Sequence, residues 1–236
     1  MNTSILKESL LKVLQSVDTP TVCNAIEVAQ GKRGFNDFTR GTLLASHPEA
    51  TALVGYARTA KIAAVNPPEE SSDVIRKRRM DYYRYMAEAP QPSIVVIEDT
   101  DYPNCIGAYW GEINTTVHKG FGLKGTLTNG VMRDLGDVPD GFPVLSGSIG
   151  PSHGFVHVED FDCAVEVFGM RVQPHDLIHA DRHGAVVIPA EVIDTLESAI
   201  EKLLATERIV LDAATKQGFG FAEFEIAWTA FEKART

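Results

Sequence analysis

An uninterrupted apolar run, Ile94-Val95-Val96-Ile97, constrains the fold of this chain more than any other segment. A half-buried strand alternates apolar and polar residues, whereas a continuous apolar run is typical of a strand covered on both faces in a parallel sheet. Glu98 and Asp99 follow directly, and open α/β sheets bind ligands at the carboxyl ends of their strands. The run therefore predicts an α/β fold with a ligand-binding edge after residue 99.

The segments before this run predict helices and strands in alternation. Apolar residues recur at helical spacing over 6–17, which indicates an amphipathic helix. A second helix is predicted with Thr19 as its N-cap and Pro20 in first position. One or two strands are predicted over 52–64, and a polar helix begins after the Ser71-Ser72-Asp73 cap and runs to about residue 89.

The second half of the chain is predicted to be β-rich and then helical. Gly169-Met170 fits a two-residue hairpin turn, because Gly takes the first central position of a type II′ turn. Strands are predicted over 177–179 and 185–188, followed by a long helix after Pro189. The tail, 209–236, is expected to be helical with a break at 217–220. Without repeats or a low-complexity linker, the whole chain, 1–236, is interpreted as one α/β domain.

Composition excludes several classes of protein. The 22 basic and 32 acidic residues give a net charge of −10, which disfavours bulk binding of nucleic acid. The three cysteines, Cys23, Cys105 and Cys163, are dispersed and odd in number, as expected in a reducing compartment. The segment MNTSILKESLLKVL lacks the pattern of a signal peptide, and no run approaches the roughly 20 apolar residues of a membrane span. We therefore expect a cytoplasmic protein without membrane contact.

A basic run, Arg76-Lys77-Arg78-Arg79, precedes Tyr82, Tyr83 and Tyr85 on the polar helix. Cations beside aromatic rings can bind RNA. The alternative is the solvated face of a helix whose tyrosines pack inward. The absence of a wider basic surface favours this second interpretation.

Familiar catalytic motifs do not explain the chain. It contains no HExxH, GxxxxGK[ST] or CxxC. The glycine pattern over 120–125 matches GxGxxG, but it closes a helix and enters a strand, the reverse of a dinucleotide-binding loop. The His179–His183 spacing spans a turn between strands, so it does not indicate helical zinc ligands. His153 is a more open candidate for a ligand contact, and Cys163 is interpreted as a core residue.

The stretch GTLTNGVMRDLGDVPDGF, residues 125–142, offers a more specific pattern. A short strand ends in an Asn129-Gly130 turn that delivers Arg133 beside Asp134, with Asp137 three residues on. A guanidinium matches a carboxylate, and a carboxylate can bind a divalent cation. The alternative is an ordinary surface ion pair beside a loop.

A second segment could complete such a site. Gly111 and Glu112 open a short helix, predicted to carry Ile113 and Val117 on one face, and helix-start amides bind anions. Glu112, Asp134, Asp137 and Asp101 would form a carboxylate-rich set beside Arg133. Their oxygens would suit Mg²⁺ or Mn²⁺ held partly through water. This interpretation requires 111–120 and 125–134 to be adjacent in space, as consecutive elements usually are.

These residues resemble the RraA-like family, which includes class II, divalent-metal-dependent 4-hydroxy-4-methyl-2-oxoglutarate/4-carboxy-4-hydroxy-2-oxoadipate aldolases and the regulator of ribonuclease activity. The similarity lies in AYWGEINTTVHKGFGLKGTLTNGVMRDLGDVPDGFPV, which matches the family pattern at Gly111, Glu112, Arg133, Asp134 and Asp137. VDTPTVCNAI, LVGYARTAKI and VQPHDLIHADRHGAVVIP also match, so the resemblance covers a core of about 17–190 and leaves a helical tail of about 191–236.

The resemblance implies a swivelling-type β/β/α core flanked by helices, assembled as a homotrimer or hexamer with active sites near subunit interfaces. It implies a lyase that cleaves a hydroxy-oxo diacid to pyruvate by a retro-aldol reaction, with oxaloacetate decarboxylation as a related activity. Arg133 would bind the substrate carboxylate and act in catalysis. Asp134 would bind Mg²⁺ or Mn²⁺, and Glu112 would contact the metal through water.

The same resemblance assigns pyruvate binding to Gly111 and to the amides of Ile113 and Asn114, and it places Asp137 behind the metal ligands. The chain departs from the family pattern at Asn129, where Asp is common, and at His175, where Gly is usual. It also has Asn24 where an acid is common. Beyond about residue 205 the tail matches nothing in the family, and the acid that a neighbouring subunit supplies in the aldolases has three candidates: Glu207, Glu223 and Glu225.

Two functions remain in competition. The first is the metal-dependent lyase acting on a 2-oxo diacid. The second is a non-catalytic regulator that binds a ribonuclease or another protein. The retained Glu112, Arg133 and Asp134 favour the lyase, since a pure binding module does not need them. A methyltransferase would require a nucleotide-cofactor loop, and 120–125 is misplaced for one.

Overall fold

The computed structural model describes residues 6–235. The first five residues of the segment considered above for a signal peptide lie outside the described residues, as does Thr236 at the end of the predicted helical tail. Six α-helices occur in the described part: α1 Glu8–Ser16, α2 Thr19–Gln30, α3 Ser72–Ala87, α4 Glu112–Gly120, α5 Ile193–Ala214 and α6 Phe221–Arg235.

The strands form one large sheet and two small ones. Their bounds are β1 Leu44–Ala45, β2 Leu53–Ala63, β3 Ser93–Asp99, β4 Ala108–Trp110, β5 Thr126–Thr128, β6 Val131–Met132, β7 Val144–Ser146, β8 Ser148–Ile149, β9 His157–Phe161, β10 Val165–Val167, β11 Met170–Val172, β12 Leu177–Asp181 and β13 Gly184–Ile188. The large sheet has the order β1-β7-β5-β3-β2-β12-β13, with β9 also pairing with β2. Strands β2, β3, β5 and β7 are parallel, and the remaining pairs are antiparallel. The α/β prediction is confirmed.

Strand β3 lies in the centre of the parallel part and is buried on both faces, as its apolar run predicts. Ile94 and Val96 pack in a cluster with the β10–β11 hairpin. Val95 and Ile97 pack in a cluster with the tyrosines of α3. Burying a side chain of this size stabilises the fold by about 1.5–3 kcal/mol, so the run fixes the layer order.

Strands β4, β6 and β8 form a separate parallel sheet of three short strands. The carboxyl ends of parallel strands meet at one edge, so this sheet sets the segments after Trp110, Met132 and Ile149 side by side. The sequence pattern did not predict this sheet, because strands of two or three residues are too short to display a period.

Two local predictions were wrong. The N-cap of α2 is Asp18, whose carboxylate accepts from the Thr21 amide at 2.9 Å, so Thr19 is already helical and Pro20 lies inside the first turn. The β10–β11 turn is formed by Phe168 and Gly169, since Val167 pairs with Met170. Both turn residues have positive φ, 51° and 75°, which is the pattern of a type I′ turn instead of II′.

The predicted break at 217–220 separates the C-terminal helices α5 and α6, which pack against each other. Helices α1, α2 and α5 cover the β2–β12–β13 side of the large sheet. Across the described residues, no helix combines the length and apolar character required to cross a membrane.

Candidate functional site

The small sheet brings the two predicted site segments together. The Arg133 amide donates to the carbonyl oxygen of Trp110 at 2.8 Å, which continues the β4–β6 pairing past the strand ends. Gly111 and Arg133 therefore leave the sheet at the same edge. The adjacency that the sequence interpretation required is present, while the chemical roles assigned to these residues stay predictions.

Gly111 lies where a side chain has no room. A Cβ atom built at this position would lie 2.4 Å from Asp134 Oδ2 and 3.0 Å from Arg133 Nε. Because atoms cannot approach so closely, an alanine here would displace either the carboxylate or the guanidinium. A glycine at this position lets the start of α4 pack directly against the Arg133–Asp134 pair.

Asp134 links the two segments. Its Oδ2 atom accepts from the Glu112 amide at 3.1 Å and lies 3.6 Å from Arg133 Nε. Its backbone has a φ of 54°, a left-handed conformation that Asp tolerates better than most residues. This bend turns the carboxylate back onto the first turn of α4, where the helix dipole favours a negative charge.

Donors without acceptors face this edge. Arg133 Nε is buried and has no hydrogen-bond partner within the part of the chain that the structure describes. The amides of Ile113 and Asn114, at the start of α4, also lack acceptors among residues 6–235. A fork of guanidinium donors beside free helix-start amides is an arrangement that binds a carboxylate.

The carboxylates of the site fit a divalent cation in part. Within residues 6–235 no group of three His, Cys, Asp or Glu side chains could hold a metal ion. Asp134, one third exposed, and the exposed Glu112 next to it correspond to the one or two carboxylates that Mg²⁺ typically takes from a protein, with water and substrate completing the set.

The predicted residues at the margin of the site differ in their contacts. The Asp137 side chain is exposed, and its amide donates to the Asp134 carbonyl at 2.9 Å, so it shapes the turn. The Asn114 side chain accepts from Tyr83 Oη and donates to the Tyr109 carbonyl, each at 2.7 Å. These two bonds fix the third residue of α4.

Helix α4 buries a face that the sequence interpretation missed. Its buried residues are Thr115 and His118, whereas Ile113 is 74% exposed. One ring nitrogen of His118 lies 2.6 Å from the Asn114 carbonyl and the other 2.7 Å from Tyr82 Oη. The buried ring also packs against Trp110, with 4.9 Å between the ring centroids.

Burial lowers the pKa of His118 from 6.5 to about 4, against the smaller effect of its hydrogen bond to Asn114. The imidazole is therefore neutral at ordinary pH and anchors α4 from below. The sequence shows only that His118 follows Asn114 by four residues, one helical turn. That spacing does not distinguish a buried histidine from one on the surface.

Asp101, His153 and His175 make their hydrogen bonds with residues other than Arg133 and Asp134. The Asp101 carboxylate accepts from the Ala64 and Val65 amides at 2.6 and 2.8 Å, so it caps the end of β2, and its tentative place in the site stays a prediction. His153 is exposed and bonds the neighbouring Gly154 carbonyl. His175 has a φ of 73°, which explains why glycine suits that turn.

Asn129 is a structural residue. It is 5% exposed, and its side chain accepts from the Asp99 amide at 2.7 Å and donates to the Asp99 carbonyl at 3.2 Å. An aspartate could not donate the second bond. Asn129 therefore joins the end of β3 to the end of β5. Beside it, burial raises the pKa of the Asp99 carboxyl.

The remaining departures are peripheral in this chain. Asn24 is exposed on α2. Of the acids in the tail, Glu223 accepts from the Gly220 amide at 3.0 Å and so caps α6. Glu207 is half-buried on α5, and Glu225 is exposed on α6.

The fold and the site define a class: an α/β protein in which a glycine-initiated helix faces an Arg-Asp pair at the edge of a small parallel sheet. The model of the RraA-like family, described as aldolase/RraA, matches residues 19–187. The chain therefore belongs to the RraA-like family.

One curated relative is similar over much of this chain. The chain is 27% identical over 188 residues to protein DlpA of Legionella pneumophila, a match that covers 78% of this chain and 28% of DlpA. This chain thus spans less than a third of the length of that curated relative.

Two solved structures share the fold. An uncharacterized protein from Pseudomonas syringae pv. tomato has a TM-score of 0.70 at 22% identity, covering 97% of each chain. Streptomyces coelicolor RraAS2, described as an unusual member of the RNase ES inhibitor RraA family, has a TM-score of 0.64 at 20% identity, covering 89% of this chain and 98% of that one.

Proposed function

We propose that this protein is a divalent-metal-dependent lyase that cleaves a 4-hydroxy-2-oxo diacid, of the 4-hydroxy-4-methyl-2-oxoglutarate type, to pyruvate by a retro-aldol reaction. The observation that carries the proposal is the buried Arg133 Nε, which has no hydrogen-bond acceptor among the described residues, beside a helix start with free amides. A binding surface for another protein does not need a guanidinium held in this way. Oxaloacetate decarboxylation is a related activity of the same site.

Residues of this chain would bind the substrate carboxylate and accept a proton. Arg133 and the Ile113 and Asn114 amides bind the carboxylate next to the 2-oxo group. Gly111 lets the start of α4 lie against the Arg133–Asp134 pair, so the amides and the guanidinium can bind the same carboxylate. Glu112, whose exposed carboxylate follows Gly111, accepts the proton that the C4 hydroxyl loses, directly or through water.

Asp134, with Glu112 through water, would hold the metal, and Asp137 would support the turn that presents Asp134. A bound Mg²⁺ or Mn²⁺ would supply a Lewis acid that polarises the 2-oxo group and stabilises the negative charge left when the C3–C4 bond breaks.

We further propose that the chain assembles as a homotrimer or hexamer in which a neighbouring subunit completes the site. Three large apolar side chains remain exposed next to the site segments, Ile113, Leu135 and Ile149. Exposed apolar residues that border a polar site are typical of a surface covered by a second subunit.

The test is pyruvate release, measured by coupling to lactate dehydrogenase, from hydroxy-oxo diacids and from oxaloacetate, with Mg²⁺ or with EDTA. We expect release that EDTA abolishes. Arg133→Ala should lower it by about 100-fold or more, in line with the loss of a transition-state donor. Arg208→Ala, which removes an exposed arginine from α5, is the matched control and should keep full activity.

The family description also covers RraA proteins, so a regulator that binds a ribonuclease or another protein is the second candidate. The two functions differ in outcome. Absence of EDTA-sensitive pyruvate from every substrate would refute the lyase, and full activity of Arg133→Ala would refute the role of that guanidinium.

A further inference from the structure

Helix α3 runs beside the first turn of α4. Both helices connect neighbouring parallel strands, α3 between β2 and β3 and α4 between β3 and β5, so both begin at the carboxyl-terminal edge of the large sheet. Tyr83 Oη donates to Asn114 Oδ1 at 2.7 Å, and Gln91 Nε2 lies 3.2 Å from the Cβ position of Gly122. The two helices therefore run in the same direction, and the turns of α3 before Tyr83 extend to the start of α4.

The face of α3 that contacts α4 continues as a basic ridge. Arg79 and Arg76 precede Tyr83 by four and seven residues, which places all three on one helical face. Side chains on a helix lean toward its N-terminus, so the two guanidinium groups point toward the carboxyl edge of the sheet.

These two arginines have no partner. Both are exposed, and neither makes a hydrogen bond or an ion pair with any residue in the described range 6–235. The other three cations of α3 are engaged: Lys77 and Arg84 with Asp81, and Arg78 with Glu70. In a chain of net charge −10, two free guanidinium groups on the ridge are positioned to bind an anion.

We propose that Arg79, with Arg76 behind it, binds the second anionic group of a dianionic substrate whose first carboxylate is held by Arg133 and the α4 amides. This inference rests on the proposed function and names the residues that bind the second carboxylate of its diacid substrate. The planar fork of Arg79 suits a carboxylate.

The test compares binding of pyruvate and of 2-oxoglutarate, in the presence of Mg²⁺, by isothermal titration calorimetry. Arg79→Gln should lower the affinity for 2-oxoglutarate by about fivefold, which corresponds to roughly 1 kcal/mol, and leave the affinity for pyruvate unchanged. Arg79→Lys should retain part of the preference, because it keeps the charge and loses the fork. Arg84→Gln, the same charge change on another face of α3, should alter neither affinity.

The outcomes separate this inference from the function on which it rests. Equal weakening of both ligands by Arg79→Gln, or of neither, would overturn the role of Arg79 while leaving the pyruvate site intact. The same holds if the wild-type protein binds 2-oxoglutarate no tighter than pyruvate. If the wild-type protein binds neither ligand, the proposed site itself is refuted. Both arginines are exposed, so these variants should fold normally.

Discussion

The candidate site depends on the volume of one residue, Gly111, and on the backbone of another, Asp134. The missing Cβ lets the start of α4 touch the carboxylate, and the left-handed φ of Asp134 turns that carboxylate back to meet it. Left-handed backbone costs a residue with a side chain about 1 kcal/mol or more. Asp134 keeps this conformation because its Oδ2 accepts the Glu112 amide.

We expect Gly111→Ala to lower pyruvate release by about 10- to 100-fold, because small displacements of positioned groups are costly in catalysis. The new methyl group would displace the Asp134 carboxylate, so the activating Mg²⁺ concentration should rise as well. Steady-state kinetics across a Mg²⁺ titration measures both effects.

The matched control is Gly120→Ala, at the other end of the same helix, where a Cβ meets nothing within 4 Å. This variant should keep its activity and gain up to about 1 kcal/mol in free energy of unfolding, since Ala favours helix. Unchanged kinetics in Gly111→Ala would show that the close approach at Gly111 is irrelevant to the reaction.

At the scale of the element, α4 is held from below by a polar aromatic network. The neutral His118 joins the Asn114 carbonyl to Tyr82, and Tyr83 holds the Asn114 side chain. These bonds fix the turn whose free amides belong to the proposed anion site. The helix therefore depends on burial of a histidine, and burial of a histidine depends on pH.

Below pH 6.5 the unfolded chain binds a proton at His118 that the folded chain excludes until about pH 4. The free energy of unfolding should therefore fall as the pH drops through this window, by about 3 kcal/mol from His118 alone. Urea unfolding at a series of pH values measures this slope. Burial also lowers the pKa of His179, which adds to the loss.

Substitution of His118 separates its contribution to the pH dependence of stability from that of His179. His118→Gln removes the titrating group and retains hydrogen-bonding capacity, so its stability should depend less on pH than that of the wild type. The exposed His153→Gln is the control and should leave the slope unchanged. An unaltered slope in His118→Gln would contradict a buried neutral imidazole.

At the scale of the whole molecule, the strongest sequence signal gave the strongest prediction. The run of Ile94 to Ile97 predicted a central parallel strand, because burial on both faces leaves an uninterrupted apolar pattern. The Gly111 helix start and the turn before Arg133 were also predictable, since glycine and turn residues act locally. The family match over 19–187 confirms the resemblance drawn from these segments.

Other features were not predictable because they depend on distant partners. Ile113 and Val117 share one face of α4, but the helix buries Thr115 and His118, and His118 contacts the aromatic residues of α3. The strands β6 and β8, of two residues each, exist only by pairing with neighbours. The bonds from the Ala64 and Val65 amides to the Asp101 carboxylate were also not predictable, because 36 and 37 residues separate the partners in sequence.

The assembled molecule should have a mass of three or six times the 25.8 kDa chain. Light scattering after size exclusion measures this mass. Ile113→Glu would place a charge on the exposed apolar rim, so it should weaken the assembly and, with it, the activity. A monomeric wild-type protein with full activity would contradict completion of the site by a neighbour.

Trp110 is fully buried, packs on His118 and is joined directly to Gly111. The chain has one other tryptophan, Trp228, which is 42% exposed on α6. The protein therefore carries an intrinsic fluorophore at the root of its candidate site. With Trp228→Phe, the emission of a single indole would follow both occupation of the helix start and the charge of the imidazole beneath it, without any added label.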